Sequence, residues 1–95
     1  MNINVNDVKK AVSIIAEEFA IKKVVLFGSL ANGLYTSKSD VDLIIEFSVP
    51  ITLITLGLSK ERLEDILKKS VDIIQGPLID TDMLEIDKEI EVYAA

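Results

Sequence analysis

Two aspartates two positions apart, Asp40 and Asp42, have the residue type and spacing that most clearly suggest chemistry in this chain. They open a segment of alternating polar and apolar residues, which predicts a β-strand with both carboxylates on one face. Their Cα atoms would then be about 6.5–7 Å apart, close enough to share one or two divalent cations. Because the chain has no histidine and no cysteine, any metal site must use oxygen ligands, and Mg²⁺ suits such a site best.

A glycine and a serine, Gly28 and Ser29, form the second chemical feature, directly after a run of apolar residues. Glycine lets the backbone approach a ligand, and a helix N-terminus receives phosphate oxygens, so this turn predicts a phosphate cradle. Ser29 would equally serve as a helix N-cap, and the two roles are compatible. Lys38 and Ser39, just before the first aspartate, are further candidate nucleotide contacts, and Lys38 fits an ordinary surface lysine equally well.

A third carboxylate, Asp72, interrupts the apolar segment Val71 to Ile74, which has the composition of a short strand. If this strand pairs beside the one that carries Asp40 and Asp42, three carboxylates converge. Such a trio can hold two metal ions and orient or deprotonate an attacking hydroxyl, which fits phosphoryl or nucleotidyl transfer. At this point the plain alternatives stay open: solubilising aspartates at the start of a strand, and an edge-strand Asp72 facing solvent.

The elements that would position these residues follow from hydrophobic periodicity. The spacing predicts a helix from Asn6, as cap, to Ala20, then a buried strand from Val24 to Phe27, a loop of about a dozen residues, and a strand from Asp40 to Phe47. A second helix is predicted after Pro50 up to Lys69, before the strand at Val71. Its apolar stripe includes Leu53, Leu63 and Leu67, and Gly57 is a candidate break. The last predicted helix, capped by Asp80 or Thr81, has an apolar side made of Met83, Ile86, Ile90 and Tyr93. Together these elements predict one α/β (α+β) domain over residues 1–95, a small mixed β-sheet with helices packed on it.

Composition excludes several functions. The net charge of −6 lacks the basic footprint of a long nucleic-acid interface, so direct binding to long nucleic acid is not expected. Apolar residues form 49% of the chain with a mean hydropathy of +0.39, a surplus that indicates an apolar surface for a partner. The sequence shows neither a signal pattern nor a run long enough to cross a membrane, so we expect a soluble cytoplasmic protein.

The combined pattern resembles a known family. Gly28-Ser29 with Ala31 and Gly33, then Ser39-Asp40-Val41-Asp42-Leu43 and a later strand with Asp72, is similar to the minimal nucleotidyltransferase (MNT) domains of the DNA polymerase beta superfamily. The resemblance covers nearly the whole chain and implies the polymerase beta-like nucleotidyltransferase fold. It also implies that Gly28 and Ser29 contact a triphosphate, that Asp40 and Asp42 bind Mg²⁺, and that Asp72 is the third carboxylate assisting the nucleophile.

The same resemblance implies a partner. Small MNT domains commonly act as antitoxins of all-helical HEPN toxins, transferring AMP from ATP to a tyrosine of the toxin, so we expect a hetero-oligomer with such a protein.

The first motif departs from the family pattern. Family members commonly carry arginines there, whereas this chain has Leu30 and Asn32, and its one arginine is Arg62. The alternative is therefore a weakly active or inactive module that neutralises its partner by binding alone.

Overall fold

A four-stranded sheet with two helices forms the framework in the computed structural model, which describes residues 3–28, 40–76 and 89–95. The elements are α1 (Val5–Ala16), β1 (Ile21–Phe27), β2 (Val41–Phe47), α2 (Leu53–Leu67), β3 (Val71–Gln75) and β4 (Glu89–Ala94). The strand order is β3-β2-β1-β4, with β1 antiparallel to β2 and to β4, and β2 parallel to β3. The predicted small mixed sheet is confirmed.

Helix α1 is capped two residues earlier than predicted, at Asn4 instead of Asn6. The cap is Asn4, whose side chain accepts the Asp7 N–H (3.0 Å) while the Asp7 carboxylate accepts the Asn4 N–H (2.9 Å). This reciprocal pairing needs an acidic partner three residues on, which Asn4 has and Asn6 does not. The helix also ends at Ala16 rather than Ala20, and Ala20 itself adopts a left-handed backbone (φ 52°) that no helix can continue through.

Helix α2 is capped by Thr52, which accepts the Thr55 N–H (3.1 Å), and is ended by Lys68 in the left-handed conformation (φ 57°). It runs through Gly57 without a break. Its buried residues are Ser59, Leu63 and Leu67, whereas Leu53, which the periodicity placed on the buried stripe, is 83% exposed. Neither of the two described helices is long and apolar enough to cross a membrane.

The core lies between the helices and one face of the sheet. Val41, Leu43 and Ile45 of β2 are fully buried there, in one cluster with residues of α1, α2, β1, β3 and β4. Since side chains alternate along a strand, Asp42 and Ile44 face the other side of the sheet. The sheet therefore has one face filled by helices and one that presents the carboxylates.

The C-terminal segment differs most from the sequence prediction. Ile90 and Tyr93, predicted on a helix, lie on strand β4, where they pair with β1 and pack partly buried against the core. Glu89-Ile90-Glu91-Val92 alternates with a strand period as well as matching a helical one, and pairing with the open edge of β1 decides between the two. Asp80, Thr81, Met83 and Ile86 lie outside the described residues.

Candidate active site

The parallel pairing of β2 and β3 sets Asp42 directly opposite Asp72. Adjacent strands are about 4.8 Å apart, and directly opposed residues on paired strands point to the same face. The predicted neighbourhood of these two strands is thus confirmed, and it brings together carboxylates that are 30 positions apart in the chain. Asp40, the third predicted carboxylate, is exposed immediately before β2 and two residues from Asp42.

Asp42 is affected by its burial and by the two neighbouring carboxylates. The pKa of Asp42 is raised above its ordinary value of 3.8, first by partial burial and then by the negative charges of Asp72 and Asp40. A bound cation would stabilise the ionised form of Asp42, which burial and the neighbouring negative charges disfavour. The donor set is therefore chemically suited to Mg²⁺, which takes carboxylate oxygens and keeps water or phosphate in its other positions.

Within residues 3–28, 40–76 and 89–95, no group of three or more acidic side chains is placed closely enough to hold a metal ion by itself. The predicted convergence of Asp40, Asp42 and Asp72 into one metal-holding trio is therefore not seen among these residues, and their binding of Mg²⁺ stays a prediction. Of the predicted nucleotide contacts, Ser29, Lys38 and Ser39 lie outside the described residues, and their roles stay predictions.

Gly28, at the end of β1, lies against the carboxylate of Asp42. Its φ is +79°, a conformation that disfavours every residue with a side chain, and a Cβ built on it would collide with Asp42 Oδ2. The glycine was predicted from the turn alone. Its contact with Asp42 could not be, because that contact depends on the antiparallel register that places Phe27 opposite Asp42.

One row across the sheet contains residues that sequence reasoning missed. In the order of the strands it reads Asp72, Asp42, Phe27 and Glu89, each opposite the next. Phe27 places an aromatic ring beside the Asp42 position, and Glu89 adds an exposed fourth carboxylate on the far side of that ring. The sequence pattern that indicates Glu89 is the strand-like alternation of residues 89–92. It competes with the helical spacing of Ile86, Ile90 and Tyr93, on which the predicted last helix rests.

Glu64 of α2 is hydrogen-bonded to the first residue of β3. Its Oε2 accepts the Val71 N–H (3.0 Å), and its backbone oxygen accepts the Lys68 N–H (2.8 Å). The same junction is tied to β2, because Val41 donates its N–H to Ser70 O (2.9 Å). Asp72 follows Val71 directly, so these bonds set the register that places it opposite Asp42.

Replacing Glu64 by alanine is expected to lower the free energy of unfolding by about 1–2 kcal/mol, because the Val71 N–H loses its partly buried acceptor. Glutamine retains an acceptor oxygen and should recover most of that loss. Urea denaturation at neutral pH measures both variants, with the exposed neighbour Glu61→Ala as control. Equal losses for Ala and Gln would show that the charge, rather than the hydrogen bond, fixes this junction.

A mixed sheet with carboxylates on adjacent strands beside a strand-ending glycine defines a small α+β domain suited to transferring phosphate groups. The chain belongs to the nucleotidyltransferase domain family, whose profile matches residues 8–93. The predicted resemblance and the predicted enzyme class are therefore confirmed at the level of the family.

Known proteins agree with this assignment. A Methanocaldococcus jannaschii protein named "Putative protein adenylyltransferase MJ0435" is 32% identical over 72 residues, covering 76% of this chain and 77% of the relative. Two solved structures share the fold. A toxin–antitoxin crystal structure with AMP-PNP has a TM-score of 0.74 at 18% identity, covering 98% of this chain and 75% of that one. A tri-AMPylated Shewanella oneidensis HEPN toxin in complex with MNT antitoxin has a TM-score of 0.62 at 17% identity, covering 97% and 71%.

Proposed function

We propose that this chain is a Mg²⁺-dependent protein adenylyltransferase that transfers AMP from ATP to a hydroxyl, a tyrosine, of a HEPN-type helical toxin, and so acts as its antitoxin. The observation that carries the proposal is the alignment of Asp42 with Asp72, with Gly28 packed against the first of them. Family membership supports nucleotidyl transfer, and the names of the relative and of the structural neighbours motivate the protein acceptor.

In this mechanism Asp40 and Asp42 would hold the metal. Mg²⁺, when bound, neutralises negative charge on the phosphoryl oxygens of ATP. Gly28 contributes by exposing backbone, without a side chain, where the triphosphate would approach the carboxylates.

Asp72 takes the role of base. It is exposed, so an incoming acceptor can reach it, and its carboxylate accepts the proton of the acceptor hydroxyl. The hydroxyl oxygen then forms a bond to the α-phosphorus while the bond from that phosphorus to pyrophosphate breaks. The products are the adenylylated protein and pyrophosphate.

A partner is supported by an apolar surface at the start of α2. Leu53, Ile54 and Leu58 are 83%, 76% and 50% exposed, and no charged residue occurs from Phe47 through Ser59. Exposed apolar patches of this kind mark interaction sites. These exposed residues are part of the apolar surplus in the composition.

The direct test mixes the purified chain with ATP, Mg²⁺ and the product of its neighbouring gene. We expect intact-mass spectrometry to show the partner gaining one or more adenylyl groups, and peptide mapping to place them on a tyrosine. With α,β-methylene-ATP, which cannot release pyrophosphate, no gain is expected. Absence of the added mass with ATP would contradict the proposal.

The second candidate function is neutralisation by binding alone. It is favoured by the apolar surface of α2 and by Leu30 and Asn32, which stand where the family commonly has phosphate-binding arginines. A stable complex that forms without ATP and never gains mass would select this function.

A further inference from the structure

A groove lies between the side of α1 that runs from Asp7 to Ile14 and the last turn of α2. It has a volume of about 570 Å³, and its apolar lining includes Ala11, Ile14 and Ile66. Ile14 is 52% exposed. The groove therefore presents an apolar floor to the surroundings.

The rim of this groove is basic in an acidic protein. Lys10, Lys68 and Lys69 line it, with Asp7 as the one acid among the lining residues, so the lining carries 3 − 1 = +2 charges while the whole chain carries −6. The Asp7 carboxylate already accepts the Asn4 N–H in the helix cap. Lys10 and Lys68 are exposed and form no ion pair with another described residue. An apolar floor between ammonium groups is complementary to an acidic amphipathic helix.

The groove is lined next to the start of β3. Lys68 and Lys69, which follow the last residue of α2, line it, and only Ser70 and Val71 separate Lys69 from Asp72. Strand β3 is at an edge of the described sheet, so no described strand lies outside Asp72. By contrast, Leu53 is at the opposite end of α2. The rise per residue of an α-helix puts it about 20 Å from Leu67, the last residue of that helix.

We propose that this groove docks an acidic amphipathic helix of the protein that accepts the nucleotide, and so delivers the acceptor hydroxyl to the Asp72 end of the site. The inference rests on the proposed function in that the acceptor is a protein. It adds the surface that recognises the acceptor and the chemistry of the segment recognised.

The test compares two double variants of the full chain with equal charge change. Lys10→Glu with Lys68→Glu alters the groove, and Lys9→Glu with Lys60→Glu alters exposed positions of the same two helices outside it. Binding to the product of the neighbouring gene is measured by calorimetry without nucleotide, at low and at physiological salt. Overlapping peptides of that protein, about 20 residues long to match a typical docking helix, identify the bound segment.

The groove variant is expected to weaken binding by about tenfold or more and to raise KM for the acceptor with kcat nearly unchanged, while the control stays within about twofold. The peptides that bind should be acidic and amphipathic, and Ile14→Gln should weaken them as well. Equal loss in both double variants, binding only of uncharged or basic peptides, or a groove occupied by a second copy of the chain would overturn the proposal. Because binding is read without ATP, a chain that binds in this way yet transfers no AMP contradicts the proposed function alone.

Discussion

Replacing Asp42 by asparagine is expected to reduce nucleotide transfer more than about a hundredfold while leaving the folded chain more stable than the wild type at neutral pH. The loss of activity follows because an amide is a poor Mg²⁺ ligand in place of a carboxylate. The gain in stability follows because burial and the charges of Asp72 and Asp40 oppose the ionised form of Asp42. One substitution should therefore move activity and stability in opposite directions.

The pH dependence of that gain has a definite sign. The pKa of Asp42 is higher in the folded than in the unfolded chain, so the folded state binds the proton more tightly. Wild-type stability from this group is fully present below the unfolded value of 3.8 and is lost as the pH rises through the higher folded pKa. The stability advantage of Asp42→Asn should thus be absent in acid and reach its maximum near neutral pH.

Thermal unfolding from acid to neutral pH, with and without Mg²⁺, measures this effect independently of activity. Mg²⁺ should raise the Tm of the wild type, because it binds the folded carboxylates, and raise that of Asp42→Asn much less. Glu46→Gln is the matched control, since it removes one negative charge from the same strand and the same sheet face, away from Asp72. Unaltered transfer in Asp42→Asn, or an equal Mg²⁺ effect in both variants, would contradict the metal assignment.

Replacing Gly28 by alanine is expected to give the second large effect. The added Cβ meets Asp42 Oδ2, and the positive φ costs an L-residue about 1–2 kcal/mol even without that collision. We expect a total loss of unfolding free energy of about 2–4 kcal/mol and a drop in transfer of more than about tenfold, because the carboxylate must move. Urea denaturation and the mass-shift assay measure the two effects.

A double-mutant cycle separates strain from collision. In the Asp42→Ala background the colliding carboxylate is gone, so Gly28→Ala should cost only the backbone strain. Gly57→Ala provides the control, because a Cβ there meets nothing within 4 Å and a helical alanine should stabilise by about 0.5–1 kcal/mol. Additive effects of Gly28→Ala and Asp42→Ala would show that the glycine does not make room for the carboxylate.

The chemistry-bearing residues were predictable because each carries a local signal. Asp40 and Asp42 begin an alternating strand, and Asp72 is a charge within an apolar run, so type and period alone single them out. Placing Asp72 beside Asp42 required the assumption that their two strands pair. The parallel register of β2 and β3 shows that they do. The contact between Gly28 and Asp42, and the Glu64 bond to Val71, join residues distant in sequence, and no local pattern contains them.

The errors in the fold have a common physical origin. Ile90 and Tyr93 fit a helical spacing, but residues 89–92 alternate with the period of a strand, and β1 has an edge that β4 pairs with. Leu53 fits the apolar stripe of α2, yet the other described residues leave it 83% exposed. Periodicity indicates which side of an element is apolar, whereas tertiary contacts decide whether anything covers it.

The position of β4 has a consequence for folding. Its residues pair with β1, so the strand near the start of the chain waits for residues 89–94 before both of its edges are bonded and before Val92 can fill its place in the core. Pairing across such a separation is slow compared with local contacts. Until it forms, the two carboxylates of β2 and β3 are carried by an incomplete sheet.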